Sequence, residues 1–206
     1  MFALSDADLN GIILGCGDGP ASFNAEAAAR GHSVVSCDPI YRFTPDQIRQ
    51  RIRETTEVVL EQTRRNQHEF VWTSIRSVEQ LRELRLTSMR TFLEHFETHG
   101  RRGRYVAAEL PHLPFSAATF GLALCSHFLF LYSEQLTEDF HVAAISEMAR
   151  VGAEARIFPL LALGGARSNH VAAVSVRLQQ AGFTVLIERV DYEFQRGGNE
   201  MMSVRA

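Results

Sequence analysis

The sequence predicts an α/β fold: one domain built on a seven-stranded, mostly parallel sheet whose last strand is antiparallel, with a helical insertion after the second strand. Three observations predict it. Short apolar runs that suit strands buried on both faces alternate with amphipathic stretches of helical period. The first strand, helix and second strand close within residues 11–37, the length of a βαβ unit, and such a crossover makes the strands parallel. Near the C-terminus two strand-like runs are joined by the short stretch Arg196-Gly197-Gly198-Asn199, which permits only an antiparallel return.

Taken in order, Gly11 to Leu14 is apolar and stops at Gly15, as a first strand would. Ser22 to Arg30, rich in alanine and closed by Gly31, reads as a helix with a glycine just past its end. Ser33 to Cys37 is the second strand, ending at Asp38-Pro39. From Thr44 the pattern changes. Thr44-Pro45-Asp46-Gln47 is a capping box with proline at the first helical position, followed by Ile48, Ile52 and Val59 at helical spacing. Ser77 to Gln80 is a second box, and the helix behind it puts Leu81, Leu84, Met89, Phe92, Leu93 and Phe96 on one side before stopping at His99-Gly100. These two helices, joined by Glu69 to Arg76, form the insertion, residues 44–100 of a single domain spanning 1–206. Strands are then expected at Tyr105–Leu110, Phe120–Cys125 and Ala155–Leu163, with a helix at Thr137–Ala149 between the last two. A helix at Ser168–Gln180 and strands at Thr184–Phe194 and Met201–Arg205 complete the chain.

Composition narrows the chemistry. The chain has 206 residues, 46% apolar and 22% charged, enough to close a full core, and no apolar run reaches the length of a bilayer span. With no basic, apolar leader at the start, a cytoplasmic location is expected. The three cysteines, Cys16, Cys37 and Cys125, lack the close spacing of a zinc knuckle, so thiols are expected and no metal site. All 21 basic residues are arginine. Without lysine, Schiff-base chemistry and the phosphate-gripping lysine of a P-loop are excluded. The net charge of −3 argues against a protein that mainly coats nucleic acid. Yet residues 45–104 hold 12 arginines against 9 acids, and the remainder 9 against 15, so the basic excess, including Arg101-Arg102-Gly103-Arg104, lies in one segment.

The stretch Gly15-Cys16-Gly17-Asp18-Gly19-Pro20 follows the first strand and precedes the first helix. Glycines there let the chain turn tightly and let a ligand approach backbone amides at a helix start. Asp38, at the end of the second strand, can accept two hydrogen bonds from ribose hydroxyls. In an open α/β sheet both sit where ligands bind, at the carboxyl ends of the strands. A nicotinamide dinucleotide fingerprint would need a third glycine where Pro20 stands. The spacing Gly15-x-Gly17-x-Gly19 instead resembles the first motif of class I S-adenosylmethionine-dependent methyltransferases. Three later segments are similar to that family's: Glu109-Leu110 ahead of Leu113-Pro114-Phe115, Phe120-Gly121-Leu122-Ala123-Leu124, and Glu147-Met148-Ala149-Arg150-Val151.

The resemblance implies a Rossmann-like sheet and S-adenosyl-L-methionine as cofactor, with S-adenosyl-L-homocysteine as product. Gly15, Cys16, Gly17, Asp18 and Gly19 would border the methionine and ribose, Asp38 would hold the ribose hydroxyls, and Pro39 would flank the adenine. Glu109 would accept from the adenine amino group, the Leu110 amide would meet a ring nitrogen, and Cys125-Ser126 would border the sulfonium end. Ser126 to Tyr132 follows the fourth strand, where the family places acceptor contacts, so His127 and Tyr132 are the catalytic candidates. Tyr41, Arg42 and Trp72 are the candidates for acceptor binding beneath the insertion. The expected acceptor is a small molecule; RNA or protein methylation through the arginine-bearing insertion, and cofactor binding without turnover, are the alternatives. The chain departs from the family's pattern at Ile13, where an acid is usual, at Gly121, where the motif has aspartate, and at Gly152-Ala153-Glu154-Ala155, where proline and two glycines are usual.

Overall fold

The computed structural model describes residues 1–100 and 103–206; Arg101 and Arg102 of the arginine run lie outside the described residues. A seven-stranded sheet forms the centre, comprising β1 (Ile12–Cys16), β2 (Ser33–Cys37), β3 (Tyr105–Val106), β4 (Leu122–Ser126), β5 (Ala155–Phe158), β6 (Thr184–Arg189) and β7 (Glu200–Arg205). Their order is β3-β2-β1-β4-β5-β7-β6. β1 through β5 run parallel, and β7 lies antiparallel between β5 and β6. The order reverses between β1 and β4, so the glycine loop leaves the sheet at its topological switch point. This is the Rossmann-like arrangement, mostly parallel with an antiparallel last strand, that the sequence predicts.

Alternation along the central strands fills both faces. Leu14, Cys16, Ala123 and Cys125 belong to one core, packed with Ile145 and Met148 of helix α5 (Glu138–Val151) and Val174 and Leu178 of α6 (His170–Gln180). Ile13, Val34, Leu122 and Leu124 belong to the other, with Ala27 of helix α2 (Phe23–Ala29). Ile13 is therefore a core residue on the face away from Leu14. A five-residue helix, α1 (Asp6–Asn10), precedes β1.

Helices α3 (Pro45–Arg65) and α4 (Val78–His99) fall within residues 44–100 and are capped by Thr44 and Ser77 as their sequences predict. The buried faces differ from those drawn through apolar residues alone. On α3 the buried side chains are Ile48, Leu60 and Thr63, while Val59 is exposed. On α4, Leu81, Phe92, Leu93 and Phe96 are buried but Leu84 is 49% exposed. The stripe centred on the core runs Leu81, Arg85, Ser88, Phe92, Phe96, with two polar residues inside it. Phe92 and Phe96 pack with Tyr41, Ile48 and Tyr105 into a third core at the β2-β3 edge.

Several strands are shorter than predicted, each with a local cause. β3 stops at Val106, whose carbonyl accepts from Ala108 N at 3.0 Å and turns the chain away. β5 stops before Pro159, which has no N–H for a ladder, and residues 161–167 fold back on themselves through bonds between Ala162 and Ala166. β6 ends at Arg189, because Phe194 and Gln195 pair instead with the insertion: Val71 N donates to Phe194 O at 2.7 Å and Phe70 bridges Gln195.

Candidate functional site

Nearly all the groups of interest lie at the carboxyl end of the sheet. Gly17 N donates to Cys37 O at 2.9 Å, which ties the loop after β1 to the end of β2. Gly17 and Gly19 take φ of 65° and 58°, a region that side-chain-bearing residues enter only with strain. Gly15 is required for a second reason. A Cβ there would stand 2.0 Å from Asp18 Oδ2, because the Asp18 carboxyl folds back into that space. Ser36 Oγ donates to the same oxygen at 2.6 Å. Burial, aided by the nearby Asp38 charge and opposed by the Ser36 bond, lifts the Asp18 pKa to about 6.

Asp38 closes the loop from the other side. One carboxylate oxygen accepts from Gly19 N and the other from Ile40 N, both at 2.9 Å. Each oxygen retains a second lone pair for a ligand hydroxyl. Tyr41 donates its hydroxyl to Gly19 O at 2.8 Å while its ring is buried against Phe92, Phe96 and Tyr105. The glycine loop is thus braced by residues on both sides.

Between these elements lies a cavity of about 650 Å³, large enough for a nucleoside cofactor. It brings together Cys16, Gly17, Asp38, Pro39, Glu109 and Leu110 from the predicted cofactor set. Gly15, Asp18, Gly19, Cys125 and Ser126 do not line it. Sequence reasoning missed His112, Leu113, Phe128 and Phe140 as walls. The Leu113-Pro114-Phe115 match was the available signal for the first two, whereas Phe128 becomes visible only in space. Its ring lies so close to Gly17 that a Cβ on that glycine would meet Phe128 Cδ1 at 3.0 Å.

The three cysteines stand in one row across the sheet, Cys16 in register with both Cys37 and Cys125. All are buried thiols, and burial raises Cys37 and Cys125 to about 12 and Cys16 well above its ordinary value. They are walls and core, not nucleophiles.

Beyond β4 the chain turns at His127, a non-glycine residue at φ 52° held by its N–H to Phe158 O at 2.7 Å. His127 is exposed, its ring Nδ1 is 2.8 Å from Ser126 Oγ, and the ring stands edge-on to Phe158. Desolvation by surrounding protein, then the Arg85 guanidinium and the N-terminal ammonium, lower its pKa to about 4, so the imidazole is neutral at physiological pH. Tyr132 is 41% exposed and packs toward Phe128, separate from His127. Of the acceptor candidates, Tyr41 is the loop brace just described and Arg42 stacks over the Phe43 ring. Trp72 packs with Phe70 and Phe194 and donates Nε1 to Gln67 O.

Along its whole length the chain is 32% identical over 206 residues to the uncharacterized protein MJ0045 of Methanocaldococcus jannaschii, covering 90% of it. The chain belongs to the family of MJ0045. No model of a protein family matches it. Among solved structures the chain is similar in fold to the magnesium protoporphyrin IX methyltransferase of Synechocystis with bound S-adenosylhomocysteine, with a TM-score of 0.52 and 13% identity over 97% of this chain and 76% of that one. It is also similar to the 1,6-didemethyltoxoflavin-N1-methyltransferase of Burkholderia thailandensis, with a TM-score of 0.50 and 15% identity over 95% of this chain and 70% of that one. The PH0226 protein of Pyrococcus horikoshii gives a TM-score of 0.51 and 10% identity over 95% of this chain and 82% of that one. At such identities the likeness is one of fold. Among the described residues no helix is long and apolar enough to cross a membrane.

Proposed function

We propose that this protein is an S-adenosylmethionine-dependent methyltransferase acting on a small-molecule acceptor. The observation that carries the reading is the meeting of Asp38, the Cys16-Gly17 backbone and the Glu109-Leu110 segment around one cavity at the switch point of the sheet. The residues present fit the cofactor: a carboxylate with free lone pairs for the ribose, apolar walls from Pro39, Ile40, Leu110 and Leu113 for an adenine, and a glycine at the narrowest approach. When bound, S-adenosylmethionine supplies an electrophilic methyl group on a positively charged sulfur.

The chain's own contribution is positioning and exclusion of water, which can account for most of the acceleration of such a transfer. An acceptor hydroxyl or amine must lose a proton. In the tautomer whose Nδ1–H donates to Ser126 Oγ, the other ring nitrogen of His127 carries the lone pair that receives it. Tyr132, packed toward the cavity wall Phe128, is the second candidate for positioning the acceptor.

Five of the nine arginines of the insertion meet acids: Arg49 meets Asp46 and Glu97, Arg51 meets Glu54, Arg64 meets Glu61 and Glu79, Arg65 meets Glu61, and Arg82 meets Glu57. This balance favours a small acceptor over a nucleic-acid docking face.

Isothermal titration with S-adenosylhomocysteine tests the reading. The wild-type protein binds it, and Asp38→Ala, losing two hydroxyl bonds to a carboxylate worth about 1.5–3 kcal/mol each, weakens binding by about a hundredfold or more. Asp38→Asn, which keeps one acceptor oxygen for the loop, falls between them. Absence of wild-type binding would refute the assignment.

A further inference from the structure

Arg85 occupies the centre of the core-facing stripe of α4, four residues after buried Leu81 and seven before buried Phe92. A cation at such a place normally faces a carboxylate. Arg85 is half-buried and, among the described residues, makes no ion pair and no hydrogen bond. Of the other arginines on the two insertion helices, Arg49, Arg51, Arg64, Arg65 and Arg82 have acidic partners, and Arg53 and Arg90, which have none among the described residues, are exposed.

The groups around it explain where it points. Ser88, one turn further along α4, accepts from Ser22 N at 3.1 Å and donates to Ser22 Oγ at 2.9 Å, which pins this part of the helix beside the glycine loop. From there the Arg85 charge acts on His127, at the end of β4, and on Tyr192, beyond β6. The Phe158 ring stands between these two, 5.7 Å from His127 and 5.9 Å from Tyr192. A desolvated guanidinium, a neutral imidazole with one unengaged nitrogen, and an aromatic ring therefore form one cluster, and Phe128, which follows His127, is a wall of the cofactor cavity. Two acids stand near this cluster, Glu26, which accepts from Ser22 Oγ at 2.6 Å, and Asp191, whose charge acts on the N-terminal ammonium; neither is paired with Arg85 among the described residues.

We propose that Arg85 is the anion-binding residue of the acceptor site, holding a carboxylate or phosphate group of the small molecule that is methylated beside His127. The planar fork of the guanidinium suits two oxygens of either group. An unpaired cation on a packed stripe costs stability in the free protein, and a bound oxyanion removes that cost. Neutralising Arg85 also relieves part of the field that disfavours protonation of His127, so the imidazole becomes a better proton acceptor when the acceptor is in place. The inference rests on the methyltransferase reading for the word acceptor, and on the geometry of Arg85 for the anion.

The test uses benzoate and inorganic phosphate as probes, with the His127 ring followed by nitrogen-15 NMR, in wild type, Arg85→Gln and Arg85→Lys. Saturable binding that shifts the His127 signals is expected in wild type. Loss of a charge-assisted contact from a desolvated site makes it about tenfold weaker or more in Arg85→Gln, with partial recovery in Arg85→Lys. Preference for benzoate assigns a carboxylate, and preference for phosphate a phosphate. S-adenosylhomocysteine affinity is measured in parallel and should be the same in all three proteins. Probe binding unchanged in Arg85→Gln, or leaving the His127 signals unmoved, overturns the proposal. So does a selective loss of S-adenosylhomocysteine binding, which would give Arg85 to the cofactor's own carboxylate. If S-adenosylhomocysteine binds none of the proteins while the probes still depend on Arg85, the anion site stands and the methyltransferase reading fails.

Discussion

Replacing Glu154 by glutamine should unfasten the two ends of the chain from the middle of the sheet. The carboxylate accepts from Arg156 Nε at 2.7 Å and Nη2 at 3.3 Å, from Arg205 Nη2 at 2.8 Å and Nε at 3.1 Å, and from Ser203 Oγ at 2.7 Å. Arg156 in turn donates to Phe2 O and to both oxygens of Asp8 in α1. Glu154 and Arg156 are 8% and 9% exposed. Burial alone would raise the Glu154 carboxyl, but the bonds from Arg156, Ser203 and Arg205 outweigh it and bring the pKa to about 2. A shift from 4.5 to about 2 is worth roughly 3 kcal/mol at full value; solvent around the half-exposed Arg205 reduces this to about 2 kcal/mol. For a chain of this size that is a fall of about 4–8 °C in Tm. Because the folded pKa lies below the unfolded one, the stabilisation is complete above pH 4.5 and disappears as pH falls toward 2. Urea unfolding at pH 7 and pH 3 should show a gap between wild type and Glu154→Gln that narrows with acid. A gap below about 0.5 kcal/mol at pH 7, the size of an ordinary surface change, would refute the reasoning, as would one that is independent of pH.

Other expectations address the site and its supports. Gly17→Ala places a Cβ 3.0 Å from the Phe128 ring at a φ of 65°, so S-adenosylhomocysteine binding by calorimetry should weaken; adding Phe128→Ala recovers the steric part but not the backbone strain of about 1–2 kcal/mol. His127, with its pKa lowered to about 4, favours the folded state above pH 6.5 and ceases to do so as pH falls through 4; in His127→Gln the acid loss of stability in that window should be smaller in pH-dependent urea titrations. Trp72→Ala removes the ring between Phe70 and Phe194, costing about 1–3 kcal/mol for a half-buried aromatic, and hydrogen exchange should quicken at Val71 and Arg196, the amides that join the insertion to the β6-β7 connection.

What could be read from the sequence was what is decided locally. Ser33–Cys37, the glycine loop and the Thr44 capping box depend on neighbours a few residues away, and the structure has them in place; of the second box only the Ser77 half forms, since the Gln80 side chain accepts from Arg76 N instead of Ser77 N. Strand ends were overrun at Leu110, Leu163 and Phe194, since an apolar composition does not say which backbone groups will find a partner. Arg85 was invisible for a similar reason: a helix face drawn through apolar residues passes over a charged one, and Leu84 stood in its place. Glu154 was noticeable only as a departure from a glycine turn, because its partners include Ser203 and Arg205, about fifty residues further along the chain. Arg42, Tyr132 and Trp72 attracted attention as exposed-looking aromatic and basic chemistry, and their neighbours are Phe43, Phe128 and the Phe70–Phe194 pair.

The placement of β7 between β5 and β6 sets an order of assembly. While the polypeptide is being made, residues 1–158 can pair five strands side by side, but β5 then presents an open flank and β6 has nothing to join. Only when residues 200–205 emerge is that flank closed and β6 recruited, and the same segment delivers Ser203 and Arg205 to Glu154. A nascent or truncated chain ending before Glu200 would thus carry an adhesive sheet margin, and the completed one a latch.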